Sequence, residues 1–178
     1  SSEDFLKQIN PTYAVIMAGK NNSYGLPKQK ILDRLTKIGG HFGPNFGFVE
    51  ATIAMHYVFN SPVDKFVFDV SHQIYPHKML TGRKEGYFDE NHYLDISGYS
   101  NPEESEHDFF TVGHTSTSIS LACGLAKARD LKHDSENVIA VIGDASLDGG
   151  EAFEALNCAA EINSNLIVVI NDCLLYTS

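Results

Sequence analysis

The chain has 178 residues, 43% hydrophobic and 20% charged, with a formal net charge of −10. This length holds one domain with a real core, and this composition excludes a disordered or fibrous chain. So acidic a surface disfavours nucleic acid and anionic membrane as partners, and a phosphate ligand would need local help from backbone N–H groups, a metal or a few placed cations.

Residues 1–27 are weakly patterned. Pro11, Gly19, Asn21, Asn22, Gly25 and Pro27 interrupt any long element, and the acidic start Ser1-Ser2-Glu3-Asp4 shows no signal-peptide pattern, which makes a cytoplasmic location the expectation. From Lys28 to Ile38 the apolar Ile31, Leu32, Leu35 and Ile38 recur at helical spacing, and Gly39-Gly40 ends the helix. A Gly-rich loop, Gly39 to Asn45, leads to a largely buried helix over Val49 to Phe59.

Lys65 to Val70 reads as a compact apolar strand, followed by a His-rich turn from Ser71 to His77. Residues 83–108 are polar and turn-rich and read as a long surface loop. Phe109 to Val112 reads as a short strand, and Gly113-His114-Thr115-Ser116-Thr117 opens a helix through Leu121, Leu125 and Ala128. Val138 to Ile142 is the near-continuous apolar run of a strand buried on both faces. Gly143-Asp144-Ala145-Ser146 turns the chain into a helix over Gly149 to Ile162, and Leu166 to Ile170 forms a second buried strand. Strand, helix and strand in this order predict a right-handed βαβ unit. The fold class is therefore α/β, an open parallel sheet flanked by helices. The apolar runs, such as Ala14 to Ala18 and Leu166 to Ile170, fall far short of a membrane span. The three cysteines, Cys123, Cys158 and Cys173, form no close pair, so neither a disulfide framework nor a zinc site is expected. Cys123 and Cys158 read as small buried helix residues.

In an open α/β sheet, ligands bind beyond the carboxyl ends of the strands. His72, Gly113-His114-Thr115, Gly143-Asp144 and Asn171-Asp172 all fall at or near such ends. Asp144, flanked by small residues, suits a hard cation that leaves part of its shell to phosphate oxygens, with a second ligand near Asn171. The competing reading is that Asp144 merely begins the turn and Ser146 caps the next helix. Gly113 to Thr117 suits an anion at a helix N-terminus, or simple capping by Thr115 or Ser116. His41, His72, His77 and His114 lie in turns at element ends, where imidazoles can transfer protons, although His77 could simply cap a helix. His56 reads as a satisfied core or interface residue, while His92, His107 and His133 carry no assigned role.

These motifs also occur together in a known family. Gly39-Gly40-His41 with Gly43, the block from Asp69 to Lys78 with Leu80 to Arg83, Ser105 to Asp108, Gly113 to Ser120, and Gly143-Asp144 with Asn171-Asp172 appear in order. The chain from about Lys30 to Asp172 resembles the 1-deoxy-D-xylulose-5-phosphate synthase family, thiamine-diphosphate enzymes of the transketolase superfamily. The resemblance implies a truncated thiamine-diphosphate-binding (diphosphate-domain) fold over residues 28–172. It implies thiamine diphosphate and Mg²⁺ as cofactors and a homodimer. The reaction it implies joins pyruvate to glyceraldehyde 3-phosphate with loss of CO₂, supplying isoprenoid, thiamine and pyridoxal precursors. His41 would contact substrate and assist proton transfer, and His72 would lie at the cofactor's reacting centre. Gly113, His114 and Thr115 would line the cofactor, Asp144 would bind Mg²⁺, and Ala145 and Ser146 would follow along the diphosphate. Two positions depart from the family. Ala145 replaces a glycine, at little cost if its φ is negative. Cys173 stands where the family has a metal-binding Asn, and a thiol is a poor ligand for Mg²⁺. Residues 173–178 are therefore expected to be a non-native tail. The family's activating glutamate lies in a further domain, so the 178 residues alone are expected to be inactive. The alternatives are another transketolase-type subunit and a non-catalytic homologue that only binds cofactor.

Overall fold

The computed structural model describes residues 29–172. The weakly patterned segment 1–27, Lys28, and the tail 173–178 with Cys173 lie outside the described residues.

Three helices come first: α1 (Gln29–Ile38), α2 (Phe42–Phe46) and α3 (Val49–Val58). Gly39, at φ 88°, ends α1, as its lack of a side chain allows. Strand β1 (Lys65–Phe68) follows, then α4 (Tyr75–Lys78), a wide turn over Met79–Arg83, α5 (Glu85–Phe88) and a short 3₁₀ turn, Glu90–His92. The second half alternates: α6 (Ser118–Lys132), β2 (Val138–Gly143), α7 (Asp144–Leu147), α8 (Gly150–Ile162) and β3 (Ile167–Asn171).

The strands form one parallel sheet in the order β1-β2-β3. All of β2 is buried, and its side chains alternate between two apolar layers. Ile139 and Val141 join Phe66 and Phe68 of β1 against Phe48, Met55, Ile74 and Tyr87. Val138, Ala140 and Ile142 face Ile119, Ala122 and Ala126 of α6 and Ala152 and Ala155 of α8. A strand packed on both faces has no polar side, which is why its sequence is a continuous apolar run.

Four expectations need correction. Residues 83–108 are not simply a surface loop: they include α5 and a 3₁₀ turn, and Arg83, Glu104 and Asp108 are drawn into largely buried ion pairs while Lys84, Glu85, Glu90 and Asp95 stay exposed. Lys78, with 0% exposure, donates to Ser97 O (3.0 Å) and Glu104 Oε2 (2.6 Å), and Arg83 holds both Asp108 oxygens (2.6 and 2.9 Å). Tyr87 and Tyr93 are buried among them. Phe109 to Val112 is not a strand; only Val112 makes an isolated antiparallel bridge, to Ser100. The helix expected from Gly113 starts at Ser118, because Ser116 takes a left-handed φ of 71° that no helix accommodates. Cys123 is buried as expected, but Cys158 is exposed.

Candidate active site

The carboxyl end of β1 organises the site. Asp69 continues the strand's pairing, its N–H donating to Val141 O (2.8 Å), and the chain then turns sharply through Val70 (φ 48°) and Ser71 (φ 70°). The Asp69 carboxylate, only 2% exposed, accepts the N–H of Ser116 on one oxygen (2.9 Å) and that of Ser118 on the other (3.0 Å). A negative charge thus sits under the amino end of α6, where amides lack helical partners. Ser71 Oγ donates to Val112 O (2.6 Å) and accepts the N–H of Ser100 (2.9 Å). Together these bonds hold the stretch 112–118 against the sheet end.

His41 and His72 are brought together by Asn45. Its amide donates to both backbone carbonyls (2.8 and 2.7 Å), and its Oδ1 accepts the N–H of Tyr75 (2.9 Å). The two rings meet edge to face, with centroids 6.1 Å apart. His72 Nδ1 lies 3.2 Å from Asp69 O and its Nε2 lies 3.2 Å from Gln73 Nε2. A neutral ring satisfies both, with Nδ1–H donating and Nε2 accepting. Burial, and then the neighbouring His41, push the His72 pKa down, which outweighs the bond to Asp69 O and the fields of Asp69 and Asp144. His41 is exposed and lines a hollow of about 400 Å³ with Gly40, Tyr75 and Tyr99.

The end of β2 lies beside His72. A Cβ on Gly143 would stand 3.3 Å from His72 Nε2, so glycine lets the strand end and the ring approach closely. Asp144 and Ala145 begin α7 and are exposed, while Ser146 is buried. Neither α7 nor α8 has a side-chain cap, so capping by Ser146 does not occur. Ala145 lies in α7 and is not among the positive-φ residues, so its methyl group costs little. Gly113, His114 and Thr115 remain exposed at the mouth, where His114 Nδ1 lies 2.7 Å from Thr115 O. Thr117 stands at the N-cap of α6 without a capping bond, and the amides of Ser116 and Ser118 belong to Asp69. Capping by Thr115 or Ser116 is therefore also absent.

β3 delivers the last oxygen. Asn171 pairs in register with Gly143 and is 4% exposed, and its Oδ1 has no hydrogen-bond partner. Gln73 Oε1, beside His72, is buried and unpartnered as well. An orphaned buried acceptor is costly unless a donor or cation satisfies it. Among the described residues no three His, Cys, Asp or Glu side chains cluster as a complete metal cage. Mg²⁺ does not require one, since it binds through one or two carboxylates and takes phosphate oxygens and water for the rest. The hard oxygen donors of Asp144 and Asn171 at adjacent strand ends fit that requirement.

His77 falls outside this site. It is buried in α4, with Nδ1 2.9 Å from His56 Nε2 and Nε2 3.4 Å from Asp108 Oδ1. The motifs did not reveal the roles of Asp69, Asn45, Ser71 and Ser116. For Asp69 there was a signal: a carboxylate directly after a buried apolar strand has to find donors. For Asn45 there was none.

The chain also has known relatives. Residues 26–176 match the family model described as 1-deoxy-D-xylulose-5-phosphate synthase. Proteins of that name are similar over most of the chain. The one from Pelotomaculum thermopropionicum is 51% identical over 152 residues, 85% of this chain and 24% of its own length. The one from Syntrophotalea carbinolica is 54% identical over 145 residues, 82% of this chain and 23% of its own. The one from Caldanaerobacter subterraneus subsp. tengcongensis is 47% identical over 172 residues, 93% of this chain and 27% of its own. The chain spans about a quarter of the length of the curated relatives it matches.

Proposed function

Since the chain belongs to the 1-deoxy-D-xylulose-5-phosphate synthase family, we propose that it forms the wall of such a synthase that holds the diphosphate end of thiamine diphosphate with Mg²⁺. The observation that carries this reading is the meeting of three strand ends. His72 lies against Gly143, Asp144 follows it, and the unpartnered Asn171 Oδ1 stands opposite. When bound, the cofactor supplies an electron sink for breaking the bond to a carboxylate carbon.

The residues have distinct tasks. Asp144 offers a carboxylate to the cation, with Asn171 beside it. Gly113, His114 and Thr115 would line the cofactor, and Ala145 and Ser146 would follow it along the diphosphate. His72, kept neutral by burial, presents a fixed ring towards the reacting centre. His41, on the exposed rim of the hollow, contacts substrate and exchanges a proton with it. The reaction we assign to the whole protein is the condensation of pyruvate with glyceraldehyde 3-phosphate, with loss of CO₂. It works as a cytoplasmic homodimer, and residues 1–178 alone do not turn over, because the activating glutamate comes from a further domain. Ala145 in a helical backbone weakens the argument it offered for a non-catalytic homologue.

The test is calorimetric titration of the full-length protein with thiamine diphosphate, with and without Mg²⁺, beside an assay for deoxyxylulose phosphate. Metal-dependent binding together with turnover supports the reading. Absence of binding sinks it, and turnover of ketose phosphates in place of pyruvate reassigns the protein to another transketolase-type reaction.

A further inference from the structure

Two segments lie at the proposed diphosphate position: the loop Gly113–Thr115 before α6, and Asp144–Ser146, the turn of helix α7 that follows β2. They belong to different elements, and one side chain joins them. Ser116 Oγ donates to Ser146 O at 2.7 Å in a buried contact. Three further observations single out this serine. Its amide is held by the buried Asp69 carboxylate (2.9 Å). Its φ of 71° is one that a non-glycine residue rarely adopts, so a side chain is kept where glycine would be easier. And Gly149, which leads into α8, leaves it room: a Cβ there would fall 1.9 Å from Ser116 Oγ and 2.6 Å from its Cβ.

We propose that Ser116 is a positioning residue that couples the cofactor-lining loop to the metal-bearing start of α7, so that binding of a divalent cation and binding of a diphosphate favour each other through its hydrogen bond to Ser146. The inference rests on the cofactor reading above. Ser116 need not touch either ligand. Each ligand fixes one segment, the loop Gly113–Thr115 or the start of α7, and the Ser116–Ser146 bond passes that constraint on. Coupling of this kind is reciprocal, so the cation tightens the diphosphate ligand by the same factor as the diphosphate ligand tightens the cation.

The measurement is the affinity of the full-length protein for thiamine diphosphate at zero and at saturating Mg²⁺, by calorimetry, with the ratio of the two as the coupling factor. Ser116→Ala removes the hydroxyl, and Ser116→Gly removes it while suiting the left-handed backbone. Both are expected to lower the coupling factor by about threefold to tenfold, the worth of one buried hydrogen bond. Gly149→Ala, which displaces the same hydroxyl, is expected to lower it equally and to add nothing in the Ser116→Gly background, because the two changes break one interaction. A merely structural serine would shift the melting temperature and leave the ratio alone. An unchanged ratio in both Ser116 variants, or independent losses in the double variant, overturns the coupling. Failure of the unsubstituted protein to bind thiamine diphosphate with Mg²⁺ overturns the cofactor reading instead.

Discussion

Replacing Asp69 by Asn tests whether the end of β1 holds the cofactor-lining stretch. The change is nearly isosteric, but it swaps one carboxylate oxygen for an NH₂ group. In the native geometry each oxygen accepts one buried amide, from Ser116 at 2.9 Å and from Ser118 at 3.0 Å. An Asn can still accept one of them, and it turns a donor towards the other. A hydrogen bond to a charged group contributes about 1.5–3 kcal/mol, and a buried N–H left without an acceptor costs about 1–3 kcal/mol more. A loss of about 3 kcal/mol is therefore a lower-middle figure, and it equals about a hundredfold in an opening equilibrium. Hydrogen exchange of the amides at Ser116 and Ser118, read by mass spectrometry of peptides spanning 112–120, should accelerate by that factor. Exchange in β2, whose bonds do not involve Asp69 side-chain oxygens, should change much less. If both regions exchange as in the unsubstituted protein, the Asp69 clamp contributes nothing and the argument fails.

Acid should weaken the fold through the buried histidines. The His56 pKa is lowered from 6.5 to about 4, first by burial and then by His77 and His107, and burial lowers His77 too. A base with a folded pKa below its unfolded value makes the unfolded state bind more protons, so stability falls as pH drops from about 6.5 towards 4. Urea midpoints between pH 7 and 4 should show this slope, and His56→Gln should flatten it. Burial would raise the Asp108 pKa, but hydrogen bonds from His77 and Arg83 hold it well below the carboxylate range, so its contribution is lost only at lower pH. Asp144→Asn should weaken Mn²⁺ binding, measured by electron paramagnetic resonance, by at least about tenfold, with thermal unfolding nearly unchanged because the side chain is exposed. Lys78→Met leaves Glu104 with only the more distant Arg83, at 3.6 Å, and should cost less in chemical unfolding than the about 3–5 kcal/mol of a buried pair broken outright, most of it regained when Glu104 is also made Leu.

The sheet was legible because it is buried on both sides. Val138 to Ile142 and Lys65 to Phe68 are too apolar and too short to be anything but inner strands, and the polar residues that follow them mark the ligand edge. The segment 83–108 was illegible for the opposite reason. Arg83, Glu104 and Asp108 have the composition of a solvated face, and nothing local shows that Lys78 pairs with Glu104, 26 residues on, or that Arg83 pairs with Asp108, 25 residues on. The start of α6 was misplaced because Ser116 is no usual carrier of a left-handed backbone. Cys158 misled because small residues occur on both faces of α8. In the site, His41, His72 and Asp144 were visible as chemistry at element ends. Of the residues that hold them, only Asp69 left a signal, as a carboxylate directly after a buried strand; Asn45 and Ser116 bond to backbone groups distant in the chain, which no local pattern marks.

The order of the strands also bears on how the molecule is made. Ile139 of β2 meets Ile167 of β3, 28 residues later, but Lys65 of β1 waits for Val138, 73 residues later. At about 5–20 residues per second on the ribosome, that gap lasts about 4–15 s. Phe66, Val67 and Phe68 spend those seconds without a strand partner, sheltered only by helices as these are made. The parallel unit of β2, α7, α8 and β3 closes soon after its own synthesis, so the vulnerable interval in this domain's birth belongs to β1, and a chaperone or a slow codon would matter most between positions 68 and 138.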